Sequence, residues 1–303
     1  MKKYTGIWPV VPTIFDDVGN LDLEGQKRTL DFLIDQEVDG ACILANYSEQ
    51  FSLIDDERSL LQKVCIDHTA GRIPLIVTIS HFSTKVACER AKSALETGAS
   101  IVMAMPPYHG ALLKGSPQQI LDHFKEMGDV GIPIMLQDAP LSGVALAVPL
   151  LAELAQSIEM LQLFKIESAG AAEKISNLLK LADEHIEGPF DGEEGITLYA
   201  DLVAGATGSM TSALIPDLIG PVIQSYLAGD QSKAKDLYSA VLPIINHENR
   251  QCGFRATKEA MVEGGIIKSS YCRHPIETLR KEARDLLIEL LKPHDPAVLT
   301  WGK

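Results

Sequence analysis

Short apolar runs alternate with amphipathic stretches at a steady interval over most of this 303-residue chain. The apolar runs predict strands at 7–15, 40–46, 74–80, 99–106, 133–139, 161–167, 188–193 and 207–213. Helical patterns with start signals lie between them. Asp22, Asp55-Asp56-Glu57, Ser83-Thr84 and Ser116-Pro117 open the first four, the last with proline at the first helical position; Pro149 and Ser168 open the next two. Gly98, Gly131 and Gly205 fall where helices hand over to strands. Continuous apolar strands, each followed by a helix, indicate an α/β protein with a parallel sheet covered by helices. Eight such units close a TIM (β/α)8 barrel. An open doubly wound sheet is the competing architecture, but the first strand carries no G-x-G-x-x-G turn.

The period changes after residue 229. Patterns at 231–251, 255–264 and 275–291 are helical only, with breaks at Gly229-Asp230 and Gly264-Gly265. The expected organisation is a catalytic barrel over 1–229 and a helical appendix over 230–303 packed on it.

Within this frame one residue is out of place. The run Leu161-Gln162-Leu163-Phe164-Lys165-Ile166-Glu167 reads as a buried strand, yet it carries a lysine near its C-terminal end. An unpaired buried ammonium is expensive, so such a lysine has its pKa lowered or finds a partner. A deprotonated lysine is an amine nucleophile that condenses with ketones to a Schiff base. A lysine just past the strand, reaching out to water, is the plain structural alternative. Barrel chemistry sits at the C-terminal strand ends, and side chains alternate along a strand, so Lys165 and Glu167 face the same way. A lysine and a carboxylate together at a barrel mouth suit a nucleophile with an acid/base partner; a salt bridge or a helix-opening carboxylate is the alternative for Glu167. The other strand ends present Asn46-Tyr47-Ser48-Glu49, Ser80-His81, Pro106-Pro107-Tyr108-His109, Gln137-Asp138, Asp191-Gly192-Glu193-Glu194 and Ser209-Met210-Thr211-Ser212.

Composition narrows the partners. A net charge of −14 argues against nucleic acid or an anionic membrane surface, and means that an anionic substrate needs local donors. No apolar run approaches the roughly 18 residues that span a bilayer. The start, Met1-Lys2-Lys3-Tyr4, runs directly into a strand pattern, so no signal peptide is expected. The five cysteines are scattered, without a C-x-x-C, and fit buried thiols of a reducing cytoplasm. The eight histidines form no H-x-x-x-H or H-x-H pair, so no metal site is expected.

The order and spacing of several segments resemble the dihydrodipicolinate synthase/N-acetylneuraminate lyase superfamily of Schiff-base enzymes. They are the stretch 6–19, the stretch 40–53, Met105-Pro106-Pro107-Tyr108, the Pro140 loop, Phe164-Lys165-Ile166-Glu167 and Gly205-Ala206-Thr207-Gly208-Ser209. The resemblance implies that Lys165 forms the imine, that no metal or organic cofactor takes part, and that the chain forms a homotetramer of paired dimers. Tyr108 stands where the family has a tyrosine that reaches a neighbouring subunit.

The departures are informative. The family's G-[TS]-T-G-E turn, which holds the substrate carboxylate, here reads Ala45-Asn46-Tyr47-Ser48-Glu49. Carboxylate binding is therefore expected from Tyr47 and Ser48, through backbone N–H groups and the serine hydroxyl. The family's catalytic tyrosine is replaced by Gln137, and the arginine that some members place after the loop proline is absent. An amide does not titrate at neutral pH, so Gln137 cannot shuttle the proton that retro-aldol cleavage needs. An imine plus a nearby carboxylate suits elimination instead: Glu167 removes a C3 proton and the enamine expels the C4 hydroxyl as water. Glutamine at this position, and the closing segment Asp295-Pro296-Ala297-Val298-Leu299-Thr300-Trp301-Gly302, resemble the L-2-keto-3-deoxyarabonate dehydratase subgroup. That subgroup converts a five-carbon keto acid to α-ketoglutarate semialdehyde. The expected catalytic set is Lys165, Glu167 and Gln137. The expected substrate-binding set is Asn46, Tyr47, Ser48, Tyr108, Gly192, Glu193, Ser209 and Ser212. A pyruvate-forming 2-keto-3-deoxy acid aldolase and a non-catalytic keto-acid-binding relative are the competing readings.

Overall fold

Strands form where apolar runs are too short for a helix and are sheathed on both faces. In the computed structural model, which describes residues 2–110 and 112–303, ten strands are present. They are β1 (Gly6–Ile7), β2 (Ala41–Ile43), β3 (Leu75–Thr78), β4 (Ile101–Ala104), β5 (Tyr108–His109), β6 (Leu113–Lys114), β7 (Ile134–Asp138), β8 (Leu161–Ile166), β9 (Gly188–Asp191) and β10 (Gly208–Ser209). A helix follows every strand outside the small β5–β6 hairpin: α1 (Leu23–Asp35), α2 (Asp55–Thr69), α3 (Thr84–Thr97), α4 (Pro117–Gly128), α5 (Val148–Ser157), α6 (Ala171–Ala182), α7 (Leu198–Val203) and α8 (Pro216–Leu227). Three more helices end the chain: α9 (Gln231–His247), α10 (Arg255–Glu263) and α11 (Lys281–Leu291). The chain is an α/β protein with eight β-then-α steps, as the hydrophobic period predicts.

The chain divides into two compact units, one of residues up to Gly6 with Pro74–Met210, the other of Ile7–Ile73 with Thr211–Lys303. In the first, β3, β4, β7, β8, β9 and β10 pair side by side in parallel. All residues of β7 are buried, and all of β8 except Gln162, as expected of a parallel sheet covered on both faces. The register places Gln137 opposite Lys165, and Ile166 opposite Asp191. Helix α4 starts where the sequence says it should. Ser116 accepts from the Gln119 N–H, Gln119 answers to the Ser116 N–H, and Pro117 occupies the first turn. In the second unit Val10 forms parallel bridges to both Cys42 and Ser212. Asp22 caps α1 by accepting from the Gly25 N–H at 2.9 Å, and α9 packs on α8.

Several expected boundaries shift. The first strand is confined to Gly6–Ile7, with isolated bridges at Val10 and Phe15, because Pro9 and Pro12 lack ladder donors. Helix α6 is capped by Gly170 in the left-handed region (φ 76°), not opened by Ser168, whose hydroxyl instead donates to Asp138. The helix expected from 275 begins at Lys281, after a cis His274–Pro275 bond. The pattern expected to run to 251 stays helical, but it passes at Glu248 into a π-helix, Glu248–Cys252. Cys42, Cys65 and Cys252 are buried and Cys88 and Cys272 partly so, all of them free thiols.

Candidate active site

In the first unit the strand ends assemble a small polar cluster on apolar supports. Lys165 is only 4% exposed, and its Nζ forms an ion pair with Glu167 Oε1. The expensive buried ammonium thus has its partner two residues along the same strand edge, where the pleat brings alternate side chains together. Gln137, its register neighbour on β7, donates from Nε2 to the same Glu167 Oε1 at 2.8 Å. Its own Oε1 is buried with no hydrogen-bond partner. One carboxylate oxygen therefore collects a cation and an amide, and the oxygen of that amide is left buried and unsatisfied among the described residues. Behind it, Asp138 holds Lys174 at 2.5 Å and accepts from Ser168 at 3.0 Å. The Glu167 N–H donates to the Asp138 carbonyl at 3.0 Å, which ties the loop after β8 to β7.

Gly192 packs directly on this cluster. A Cβ there would lie 2.7 Å from both Lys165 Cγ and Glu167 Cγ. Its role in the structure is close approach, so the lysine stem and the carboxylate stem fit side by side. Glu193 is half-buried beside it, and its carbonyl accepts from the Ile196 N–H at 2.9 Å. Ser209 is fully buried, and its hydroxyl donates to Asp191 Oδ2 at 2.5 Å. Tyr108 is half-buried on β5, opposite Lys114, and burial pushes its phenol up. His81 stacks on Phe82 at 4.3 Å, and Phe82 meets His109 edge-on at 4.6 Å.

In the second unit Asn46-Tyr47-Ser48 form a 3-10 turn followed by Glu49 in the left-handed region, φ 56°. The Ser48 hydroxyl donates to the Val11 carbonyl at 2.6 Å and its N–H to the Ala45 carbonyl at 3.0 Å. The expected use of that hydroxyl on a substrate carboxylate meets a competitor here, because its proton is committed to the backbone. Asn46 Oδ1 accepts from Gln50 at 3.2 Å, and the Tyr47 ring meets Phe254 edge-on at 6.0 Å. Glu49, fully buried, forms an ion pair with the equally buried Lys258 of α10, which also donates to the Tyr271 carbonyl at 2.9 Å. Ser212 is buried; its hydroxyl accepts from the Leu214 N–H at 3.2 Å and contacts the carboxyl of Glu248.

Two acidic groups were not singled out by sequence reasoning. Glu248 is fully buried at the start of the π-helix, one of its oxygens has no partner, and burial pushes its carboxyl up to about 7. It continues an apolar stripe through Val241, Ile244 and Ile245 at helical spacing, so an acid on a buried face was a readable signal. The second is Asp201 on α7, fully buried and joined through Thr197 to Asp191. It lies between Leu198 and Leu202 on the inward face, a weaker signal in so short a helix.

A model of the dihydrodipicolinate synthetase family matches residues 3–294. The chain belongs to that family. Among its members, the L-2-keto-3-deoxyarabonate dehydratase of Azospirillum brasilense is 50% identical over 301 residues, spanning 99% of this chain and 97% of its own. A 4-hydroxy-tetrahydrodipicolinate synthase of Caldicellulosiruptor bescii is 26% identical, covering 96% of this chain and 97% of its own. The solved dihydrodipicolinate synthase of Aquifex aeolicus superposes with a TM-score of 0.89 at 22% identity, over 97% of this chain and 99% of that one. The matched dehydratase and synthase carry out different reactions by name, so the shared fold does not by itself set the chemistry of this chain.

Among the described residues no helix is long and apolar enough to cross a membrane. No group of three or more His, Cys, Asp or Glu side chains among them is placed to hold a metal ion.

Proposed function

We propose that this protein is a Schiff-base hydro-lyase that removes water from a 2-keto-3-deoxy sugar acid, with L-2-keto-3-deoxyarabonate as substrate and α-ketoglutarate semialdehyde as product. The observation that carries the reading is the triad of Lys165, Glu167 and Gln137, with both lysine and amide on one carboxylate oxygen. The 50% identical dehydratase supports the substrate class.

In this scheme the Glu167 carboxylate takes a proton from the Lys165 ammonium, and the free amine adds to the C2 ketone. The carbinolamine loses its oxygen as water to leave an iminium. The iminium acidifies C3, and Glu167, held beside Nζ, removes a C3 proton. The enamine expels the C4 hydroxyl as water, with the Glu167 acid assisting. Loss of a C5 proton then gives an enol that becomes the aldehyde as the carbon chain is reprotonated, and hydrolysis frees Lys165. Gln137 fixes the Glu167 carboxylate and offers its unpartnered Oε1 to a substrate hydroxyl. It transfers no proton, which disfavours carbon–carbon cleavage.

The same reading assigns substrate contacts to Asn46, Tyr47, Ser48, Tyr108, Gly192, Glu193, Ser209 and Ser212, on the family resemblance. It takes residues 1–229 as a closed TIM barrel with 230–303 as its helical appendix, working as a cytoplasmic homotetramer without metal or organic cofactor. The test is incubation with L-2-keto-3-deoxyarabonate and identification of products. Release of α-ketoglutarate semialdehyde is expected; release of pyruvate would make the chain an aldolase, and binding without turnover would overturn an enzymatic role. Borohydride with pyruvate should label the peptide containing Lys165, and Lys165→Ala should abolish the label.

A further inference from the structure

A buried acidic pair next to Lys165 takes no part in the scheme above. Asp191 ends β9, Asp201 lies on α7, and both side chains are fully buried. The Thr197 hydroxyl sits between them, 2.7 Å from Asp201 Oδ2 and 3.4 Å from Asp191 Oδ1. With one hydrogen it can serve only one carboxyl at a time. Ser209 donates to Asp191 Oδ2, and Asp201 Oδ1 is buried with no donor. Among the described residues no cation forms an ion pair with either; two such adjacent carboxylates cannot both stay ionised at modest cost, and one proton between them relieves the repulsion and fills the vacant acceptor. The protonation balance agrees. Burial, then the charge of Asp201, pushes Asp191 well above the usual carboxylate range. Burial raises Asp201 too, offset by the Thr197 hydroxyl and by its hydrogen bond with Asp191. Asp191 therefore carries the proton and Asp201 accepts it. The charged groups acting on Asp191 are Asp201 from α7 and Lys165 from β8.

We propose that Asp191 and Asp201 form a proton-sharing pair of net charge −1 that acts through Lys165, favouring the cationic iminium over the neutral carbinolamine. The inference rests on the reading of Lys165 as the imine-forming residue. In the step concerned, the carbinolamine takes up a proton, its C–O bond breaks, water leaves, and the positive charge remains on the nitrogen of Lys165. A fixed negative charge behind β8 lowers the energy of that state; Asp201 on α7 holds it, and Asp191, opposite Ile166 on β9, passes it toward β8 through the shared proton. Neither aspartate needs to touch substrate; both are positioning residues.

The pair can be read directly in the wild-type protein labelled with [13Cγ]aspartate. The Asp191 and Asp201 carboxyl signals, assigned through the single asparagine variants or through their resistance to solvent exchange, should show one proton retained through neutral pH. Two ionised carboxylates at pH 7 would overturn the proposal. The kinetic arm measures, as a function of pH, the rate at which borohydride traps pyruvate on the enzyme. Both the resting ammonium and the iminium carry the positive charge that the pair stabilises, so the readout is the pH at which the neutral amine becomes available. In the double variant Asp191→Asn/Asp201→Asn the trapping profile should move about one pH unit toward acid, a tenfold change in the balance between cationic and neutral nitrogen. Asp201→Asn alone, which leaves one carboxylate with an amide donor, should shift much less. A folded double variant whose profile does not move would overturn the pair's role and leave Lys165 untouched. Trapping that survives Lys165→Ala would instead overturn the reading on which the pair depends.

Discussion

Gln137 donates its amide to the same Glu167 oxygen that holds Lys165, at 2.8 Å. Glu167 is thereby fixed against the amine from two sides, by its own strand and by the neighbouring one. Replacing its carboxylate with an amide separates two roles. Glu167→Gln keeps size and hydrogen bonding but cannot accept the C3 proton. Turnover should fall about 10²–10⁴-fold, the usual cost of a lost general base. Borohydride trapping on Lys165 should persist, since an amine can also lose its proton to water. Near wild-type turnover would make Glu167 structural.

Restoring the family's tyrosine at Gln137 should depress dehydration by about 10–100-fold, because a charge-assisted hydrogen bond to Glu167 is lost. A trace of pyruvate release is expected from Gln137→Tyr, read by coupled assay, without efficient aldolase activity. The new phenol would lack an orienting partner, and a general base depends on placement to a fraction of an ångström. Unchanged dehydration in this variant would remove Gln137 from the catalytic set.

Gly192→Ala tests packing rather than chemistry. The added methyl would lie 2.7 Å from the stems of Lys165 and Glu167 and 3.2 Å from the Ile166 carbonyl. Overpacking of this kind costs about 1–3 kcal/mol, measurable by denaturant midpoint, and should displace the amine enough to slow trapping. A variant with wild-type stability and wild-type trapping would show that the strand end can yield.

Glu248 predicts a pH dependence with a definite sign. Burial lifts its carboxyl to about 7, against an ordinary value of 4.5. Between those limits the folded protein holds a proton that the unfolded chain has released. Stability is therefore greatest below the lower value, falls as pH rises through the window, and levels off above about 7. The loss attached to this one group is on the order of 3 kcal/mol. Glu248→Gln, the neutral isostere, should flatten that part of the profile and be more stable than wild type above pH 7, by urea melts at several pH values. An unchanged slope would place the titration elsewhere.

How far the sequence could be read depended on what kind of force set each feature. Lys165 and Glu167 were legible because polar residues in an apolar strand break a simple pattern, and alternation alone places them on one face. Helix starts at Asp22 and Ser116 were legible because caps act within four residues. The boundaries of the first strand and of α6 were misplaced because the apolar period outweighed Pro9, Pro12 and Gly170, which decide them. The commitment of the Ser48 hydroxyl to Val11 depends on a contact between separate segments, and the meeting of Asp191 with Asp201 on how α7 folds back onto β9. No local pattern announces them.

The ion pair between Glu49 and Lys258 joins residues 209 positions apart. A carboxylate buried without its cation is strongly unfavourable, so the turn at 46–49 cannot settle while the lysine is missing. A fragment ending before α10 would therefore carry the opening strands and Lys165 yet leave this turn unshaped. The shape of a loop near the opening strands is thus settled only once α10 is in place, and the two lock as one step rather than in sequence order.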